Sequence, residues 1–221
     1  MSKIIPQDTI EKNILKTGTT TVGIICKDGV VLAADRRMSA GYMIANKKTE
    51  KIIPVSEDVA VTTAGMVSDA QLLTRIIKAQ IRLESIKRGK KLAVKEIASF
   101  LANLVYSNIR RMSMVPSIVG FLIGGKDKKG FHLYALGIDG SIIEYDDYYA
   151  DGSGTMFSIG VLESSYKKDL TVDEGIKLAV KAVSTSIQRD MASGNGIDVV
   201  AITEKGMKKV VEKEIPTAVV M

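Results

Sequence analysis

Lys16-Thr17-Gly18-Thr19-Thr20-Thr21-Val22-Gly23-Ile24-Ile25 is the stretch around which the chain is organised. Three β-branched threonines run into Val-Gly-Ile-Ile, and such residues are stiff at χ1 and pack well on a pleated surface, so a strand begins at Thr19. Residues 1–18 show neither helical nor strand periodicity and end in Gly18, which can take backbone geometries closed to other residues. If the bond between Gly18 and Thr19 is cut, Thr19 acquires an α-amino group with a pKa of about 8 beside its own hydroxyl. A threonine hydroxyl activated by an N-terminal amine is one way in which a weak nucleophile becomes competent near neutral pH. The same residues also read as an edge strand behind a polar tail, and the stretch alone does not choose between the two.

With 221 residues, 46% of them hydrophobic, the chain can bury a sizeable core in one large domain or two small ones. The net charge of +6 raises the question of nucleic acid. Its Lys and Arg are spread along the chain, however, and aromatic residues make up only 5%, so no basic cluster interleaved with stacking rings is present. The single cysteine, Cys26, excludes an internal disulfide framework, fits a reducing compartment and lies in an apolar run where a buried structural thiol is expected. Residues 1–18 lack the apolar core of a signal peptide, and no stretch approaches the roughly 18 apolar residues of a membrane span. A cytoplasmic location without membrane contact is the expectation.

Outward from the first strand, Lys27-Asp28-Gly29 separates two apolar runs, 19–26 and 29–35, and Asp-Gly between β-rich runs signals a hairpin. A loop is expected over 38–47, then an extended segment with Lys51, Ile52 and Ile53 broken by Pro54, then a strand from Val59 to Thr63 ending at Ala64-Gly65. The period then changes. Leu72, Ile76, Ala79, Leu83 and Ile86, with Leu73, Ile77 and Ile81 beside them, predict a long helix with a broad apolar face, stopped by Lys87-Arg88-Gly89. A second helix carries Val94, Ile97, Leu101, Leu104, Val105, Ile109 and Met112 and ends before Pro116. Strands over 117–124, 130–136 and 141–149 form a meander, followed by a short helix to about Tyr166. A capping box at Thr171-Val172-Asp173-Glu174 opens a helix that stops at Ser193-Gly194, and two strands, 197–203 and 207–215, close the chain. Strands grouped with strands and helices with helices argue for α+β, best arranged as a four-layer α-β-β-α sandwich of two antiparallel sheets.

Several chemistries are removed by what the chain lacks. His132 is the only histidine and reads as a surface strand residue, no serine sits in a nucleophile elbow, and no Cys/His cluster has zinc spacing. Gly124-Gly125-Lys126 lacks the pattern of a phosphate loop. What remains is the set that a nucleophilic Thr19 would use. Asp35 ends the second strand of the hairpin and returns close to Thr19, and a lysine such as Lys51 near the hydroxyl would lower its pKa while a carboxylate orients the lysine. Asp190 and Ser193, three apart at a helix end, and Ser153 between two glycines either hydrogen-bond a terminal amine or merely cap and turn the chain.

Gly18-Thr19-Thr20-Thr21-Val22-Gly23-Ile24, Asp35-Arg36-Arg37, Thr63-Ala64-Gly65-Met66-Val67-Ser68-Asp69-Ala70, Gly152-Ser153-Gly154, Thr171-Val172-Asp173-Glu174-Gly175 and Arg189-Asp190-Met191-Ala192-Ser193-Gly194 together resemble the archaeal-type 20S proteasome β subunit, in order from Thr19 to about Thr203. The resemblance implies an N-terminal nucleophile hydrolase fold and a threonine endopeptidase without cofactor or metal. It implies that Thr19 is the nucleophile, Asp35 and Lys51 its charge partners, Gly65 the oxyanion-hole amide, and Ser153, Asp190 and Ser193 the support for the amine. It further implies self-cleavage at Gly18-Thr19 that removes residues 1–18 as a propeptide and leaves 19–221 as one catalytic domain. Carried over by position, Met38, Ser39, Thr49, Ile53, Thr63 and Val67 surround the substrate side chain and favour cleavage after apolar residues. The implied partners are proteasome α subunits and other β subunits in a stacked four-ring, twenty-eight-subunit particle, a regulatory ATPase acting through the α ring, and unfolded protein substrates. A related β-type subunit that builds the ring without cutting is the alternative.

Overall fold

The computed structural model describes residues 18–113 and 117–215. The expected propeptide, apart from Gly18, and Pro116 lie outside them. Strands β1 (Thr20–Cys26) and β2 (Gly29–Asp35) form the opening hairpin, paired from Thr21↔Ala34 to Cys26↔Gly29. A small ribbon of β3 (Met38–Ala40) and β4 (Met43–Asn46) follows, then β5 (Ile52–Pro54) and β6 (Val59–Gly65). Helices α1 (Val67–Arg88) and α2 (Val94–Ile109) precede β7 (Val119–Asp127), β8 (Gly130–Leu136), β9 (Ile142–Tyr145) and β10 (Tyr148–Gly152). Helices α3 (Thr155–Ser165) and α4 (Val172–Arg189) lead to β11 (Gly196–Thr203) and β12 (Gly206–Glu214).

One antiparallel sheet has the order β10-β1-β2-β11-β12 and the other β5-β6-β7-β8-β9. Three apolar clusters define the layers. Leu73 and Ile77 of α1 and Ile97, Leu101 and Val105 of α2 pack on Val61, Phe121 and Ile123 of the second sheet. Leu32, Ala34, Val200 and Ile202 of the first sheet meet Ala60, Leu122 and Leu133 of the second. On the far side of the first sheet, Val22, Ile24, Val31 and Ala33 pack under Leu162, Leu178, Ala182 and Val183 of α3 and α4. β2 is buried on both faces because alternate residues serve different layers, Val31 and Ala33 toward helices, Leu32 and Ala34 toward the other sheet. The architecture is an α-β-β-α sandwich.

The structure differs from the sequence expectations in four places. Residues 38–46 are a ribbon, not a loop; its strands are only three and four residues long and turn at Gly41, with φ 61°, too short for alternation to register. The expected strand over 141–149 is two strands in different sheets: β9 stays beside β8, and after Asp146-Asp147 the chain crosses so that β10 pairs with β1. The last long helix ends at Arg189, and Asp190 is already extended with ψ 115°, so Ser193 lies in a turn beyond the helix. Finally, α1 buries Ala70, Leu73, Thr74, Ile77 and Ile81, whereas Leu72, Ile76, Leu83 and Ile86 are exposed. The helical period is as read, but two apolar stripes compete for one core and the sheet takes the other.

This last assignment predicts opposite costs for adjacent residues. In the unassembled chain, Ile77→Ala should cost about 2–5 kcal/mol by opening a cavity. Ile76→Ala should stay within about 0.5 kcal/mol. Equilibrium denaturation of both variants checks it, and equal losses would place the wrong face in the core.

Candidate active site

Five chain segments meet at one edge of the sandwich because the open ends of the hairpins, opposite their turns, lie there. Thr19 precedes β1, and the pairings Thr21↔Ala34 and Thr20↔Gly152 bring the end of β2 and the end of β10 alongside it. Lys51 precedes β5 and is tied to β6 by the Thr63 N–H donating to its carbonyl (2.9 Å). The Asp190–Ser193 turn arrives from α4 and leads into β11, which pairs with β2.

Thr19, Asp35 and Lys51 are all buried. The Thr19 hydroxyl donates to Asp35 Oδ1 (2.8 Å), while Lys51 Nζ donates to Thr19 Oγ1 and to Asp35 Oδ1 (2.6 Å). The Thr20 N–H adds a third donor to Oδ1 (3.0 Å), and Oδ2 accepts the N–H groups of Arg37 (3.0 Å) and Gly194 (2.9 Å). A fully buried carboxylate is tolerated only when its lone pairs are used in this way. Burial pushes the Lys51 ammonium below the ordinary lysine range; Asp35 and Asp190 pull it back and Arg37 pushes it further down. Lowering that pKa favours the neutral amine, the form able to take a proton from Thr19.

On the other side of Thr19, its N–H donates to Ser153 Oγ (3.1 Å), and the Ser153 hydroxyl lies 2.6 Å from Asp190 Oδ2, which also accepts the Ser193 hydroxyl (2.6 Å). Ser193 Oγ is 2.7 Å from Thr20 Oγ1. The structure thus brings Ser153, Asp190 and Ser193 together at the backbone nitrogen of Thr19. In this chain that nitrogen is still a peptide N–H. Gly18 donates its own N–H to Ser39 Oγ (3.0 Å), and any Cβ at Gly18 would collide with the Ala192 methyl.

A cavity of about 70 Å³ opens beside Thr19 and Lys51. Met38, Ser39, Thr49, Ile53, Thr63, Val67 and Gly65 all line it. Arg37, Glu50, Ala70 and Gln71 line it as well, and the sequence reading named none of them as a wall residue. Ala70 and Gln71 follow Val67 by one helical turn on α1, so helical spacing alone could have added them. The wall is therefore not free of carboxylate, and the buried Thr49 hydroxyl has no hydrogen-bond partner among the described residues. Gly65 has φ 120°, and a Cβ there would collide with the Ile118 carbonyl. Glycine is thus required by the strand junction itself, and not simply by the approach of a substrate.

Two residues set aside on sequence lie apart from this cluster. Cys26 is buried, and burial pushes its thiol up to about 12. His132 is held between Glu144 Oε1 (3.0 Å) and Asp127 Oδ1 (3.2 Å). Among the described residues no group of three or more His, Cys, Asp or Glu could hold a metal ion, and no helix is long and apolar enough to cross a membrane.

Residues 15–202 match the sequence profile of the family described as "Proteasome subunit". The chain is 44% identical over 198 residues to a proteasome subunit beta of Ferroglobus placidus, covering 90% of this chain and 92% of that one. A proteasome subunit beta of Archaeoglobus fulgidus is 46% identical over 195 residues, covering 88% and 89% of the two chains. One from Methanothermobacter thermautotrophicus is 42% identical over 206 residues, covering 93% and 95%.

The dependence of the cluster on Asp35 is measurable as stability. Asp35→Ala strands three N–H groups and leaves the Lys51 charge without its partner, so it should cost about 3–5 kcal/mol in equilibrium unfolding. Adding Lys51→Met, which removes the uncompensated charge, should return part of that loss. A double variant no more stable than Asp35→Ala would show that Lys51 does not depend on the carboxylate.

Proposed function

The chain belongs to the proteasome subunit family as an archaeal-type 20S β subunit, and we propose that it is a catalytic one, a threonine endopeptidase of the proteasome core. The observation that carries this reading is the Lys51 side chain, buried in contact with both the Thr19 hydroxyl and the Asp35 carboxylate. With Lys51 neutral and the Thr19 hydroxyl turned toward it, Nζ takes the Oγ1 proton, and the oxygen attacks the scissile carbonyl carbon. Charge developing on the carbonyl oxygen meets the backbone N–H of Gly65 at the mouth of the cavity. The tetrahedral intermediate collapses to an ester on Thr19 as the amine leaves with a proton, and water then hydrolyses the ester.

The first substrate is the chain itself. Attack on the Gly18 carbonyl shifts the acyl group from nitrogen to oxygen, and hydrolysis releases residues 1–18 as a propeptide. The Thr19 amine freed in this step inherits the hydrogen bonds to Ser153 and, through it, Asp190 and Ser193. Domain 19–221 is then the working enzyme. The cavity walls of Met38, Ile53 and Val67 favour cleavage after apolar side chains.

Assembly is the second half of the proposal. Leu72, Ile76, Leu83 and Ile86 form an exposed apolar stripe along α1, the kind of surface that marks a protein–protein contact. A heptameric ring stacked against α rings in the cytoplasm, fed unfolded protein by an ATPase docked on the α ring, gives such surfaces partners and encloses the nucleophile.

Thr19→Ala should remain full length after assembly, as read by N-terminal sequencing, and hydrolyse no peptide. Lys51→Ala should lose at least about nine-tenths of peptidase activity, equivalent to about 1.4 kcal/mol of barrier. Lys51→Arg should not restore it, because a guanidinium cannot give up a proton. A wild-type chain that stays uncut after assembly would instead identify a structural subunit.

The stripe is tested separately. Ile76→Glu with Leu83→Glu should leave the free chain folded, since both positions are exposed, yet prevent ring formation in sedimentation. Normal rings would assign the stripe to solvent.

A further inference from the structure

Two arginines follow Asp35 directly, and they point to different places. Arg36 is buried against Asp198 (3.7 Å) and Glu212 (3.4 Å) of β11 and β12. Arg37 turns the other way and reaches across the Met191–Asn195 turn. Its Nε donates to Asn195 Oδ1 (2.8 Å) and its Nη1 donates to the Met191 carbonyl (2.8 Å). Between those two anchors the guanidinium lies against Gly194, where a Cβ would collide with it.

We propose that Arg37 is a positioning residue of the peptidase: its guanidinium staples the Met191–Asn195 turn to the end of β2 and so holds Asp35, Asp190 and Ser193 in register around Thr19. The proposal rests on the reading of Thr19 as nucleophile. Three features support it beyond the two hydrogen bonds. The backbone N–H of Arg37 and that of Gly194, the residue under the guanidinium, both donate to Asp35 Oδ2. One rigid fork therefore fixes both donors to the catalytic carboxylate. Asn195, with φ 64°, is the only non-glycine residue of positive φ among the described residues, and its side chain is anchored by Arg37. The turn begins at Asp190, whose carboxylate takes the hydroxyls of Ser153 and Ser193, so movement of the turn would misplace the groups at the Thr19 nitrogen.

Lysine cannot reproduce this arrangement, because an ammonium is a point donor and two acceptors on opposite sides of a glycine need a planar fork. The guanidinium also contributes charge. Together with burial it lowers the Lys51 pKa against the pull of Asp35 and Asp190. Removing the charge raises that pKa and moves the acidic limb of kcat/KM, which requires neutral Lys51, to higher pH.

The experiment compares Arg37→Met, Arg37→Lys and Asn195→Gly in assembled particles, with peptide hydrolysis across pH and hydrogen exchange of the 190–195 amides. Arg37→Met should lower kcat by a factor of about ten or more with KM little changed, and move the acidic limb to higher pH. Arg37→Lys should lower kcat to a similar extent and leave the limb in place. Asn195→Gly, which keeps the positive φ unstrained and deletes only the acceptor, should lower kcat without moving the limb and carries the test if Arg37→Met does not fold. Exchange in the turn should accelerate in all three. Recovery of wild-type kcat by Arg37→Lys, wild-type turnover in Asn195→Gly, or a KM rise at constant kcat overturns the staple. A wild-type particle without Thr19-dependent hydrolysis overturns the peptidase reading instead, and unchanged exchange in the turn overturns the staple independently of any activity.

Discussion

The contact between Lys51, Asp35 and Thr19 is the constraint on which this structure turns. Burying a carboxylate and an amine together is expensive, and their attraction offsets the loss of water only where further hydrogen bonds use the remaining lone pairs. Asp35 meets that demand with the N–H groups of Thr20, Arg37 and Gly194, which come from three different segments. Each of those segments must therefore be placed to within a few tenths of an ångström. The Asp35 carboxylate is at once the group to be positioned and the point at which the surrounding chain is knitted together.

The sandwich supplies that placement. Its strands are held on both faces by separate apolar clusters, so the ends of β1, β2 and β10 cannot slide independently. Hydrogen-bond register then transmits position to residues just beyond the strands: Thr19, Lys51 and Ser153 all sit one residue outside a ladder. Side chains mounted there combine the precision of a strand with the free backbone groups of a turn. The crossing of the chain at Asp146-Asp147 matters in the same sense, since only a β10 paired with β1 carries Ser153 to the nitrogen of Thr19.

The same burial has a consequence for access. Thr19 is 4% exposed, and the route to it is the cavity between the β3 ribbon, the Thr49–Ile53 segment and the start of α1. The walls are mostly short or apolar, with Arg37, Glu50, Lys51, Gln71 and the Thr49 hydroxyl, which has no partner among the described residues, interspersed. The Thr49–Ile53 segment thus carries both cavity wall and Lys51 of the charge cluster, whereas the β3 ribbon and the start of α1 shape the cavity without contributing a side chain to that cluster.

Periodicity in the sequence determined the element order, the antiparallel hairpins and the two helix pairs, because alternation at period 2 and spacing at 3.6 are local properties of the chain. The candidate nucleophile was also legible, from a glycine followed by β-branched residues at a strand start. Which stripe of α1 is buried was not, since Leu72 and Leu73 begin two comparable apolar rows and only the position of the sheet chooses the second. The division of residues 141–149 between two sheets was equally hidden, because β-rich residues stand on both sides of the bend at Asp146-Asp147 and nothing local says which strand each piece pairs with. Asp190 and Ser193 read as a helix end and are in fact a turn, yet they meet Ser153 as a turn beside the strand end requires. What the tertiary structure alone decided is the convergence of distant segments on Asp35, from Thr20 to Gly194. Spacing along a chain carries no information about which loop ends share an edge of a sandwich, and that is set by strand pairing between residues far apart in sequence.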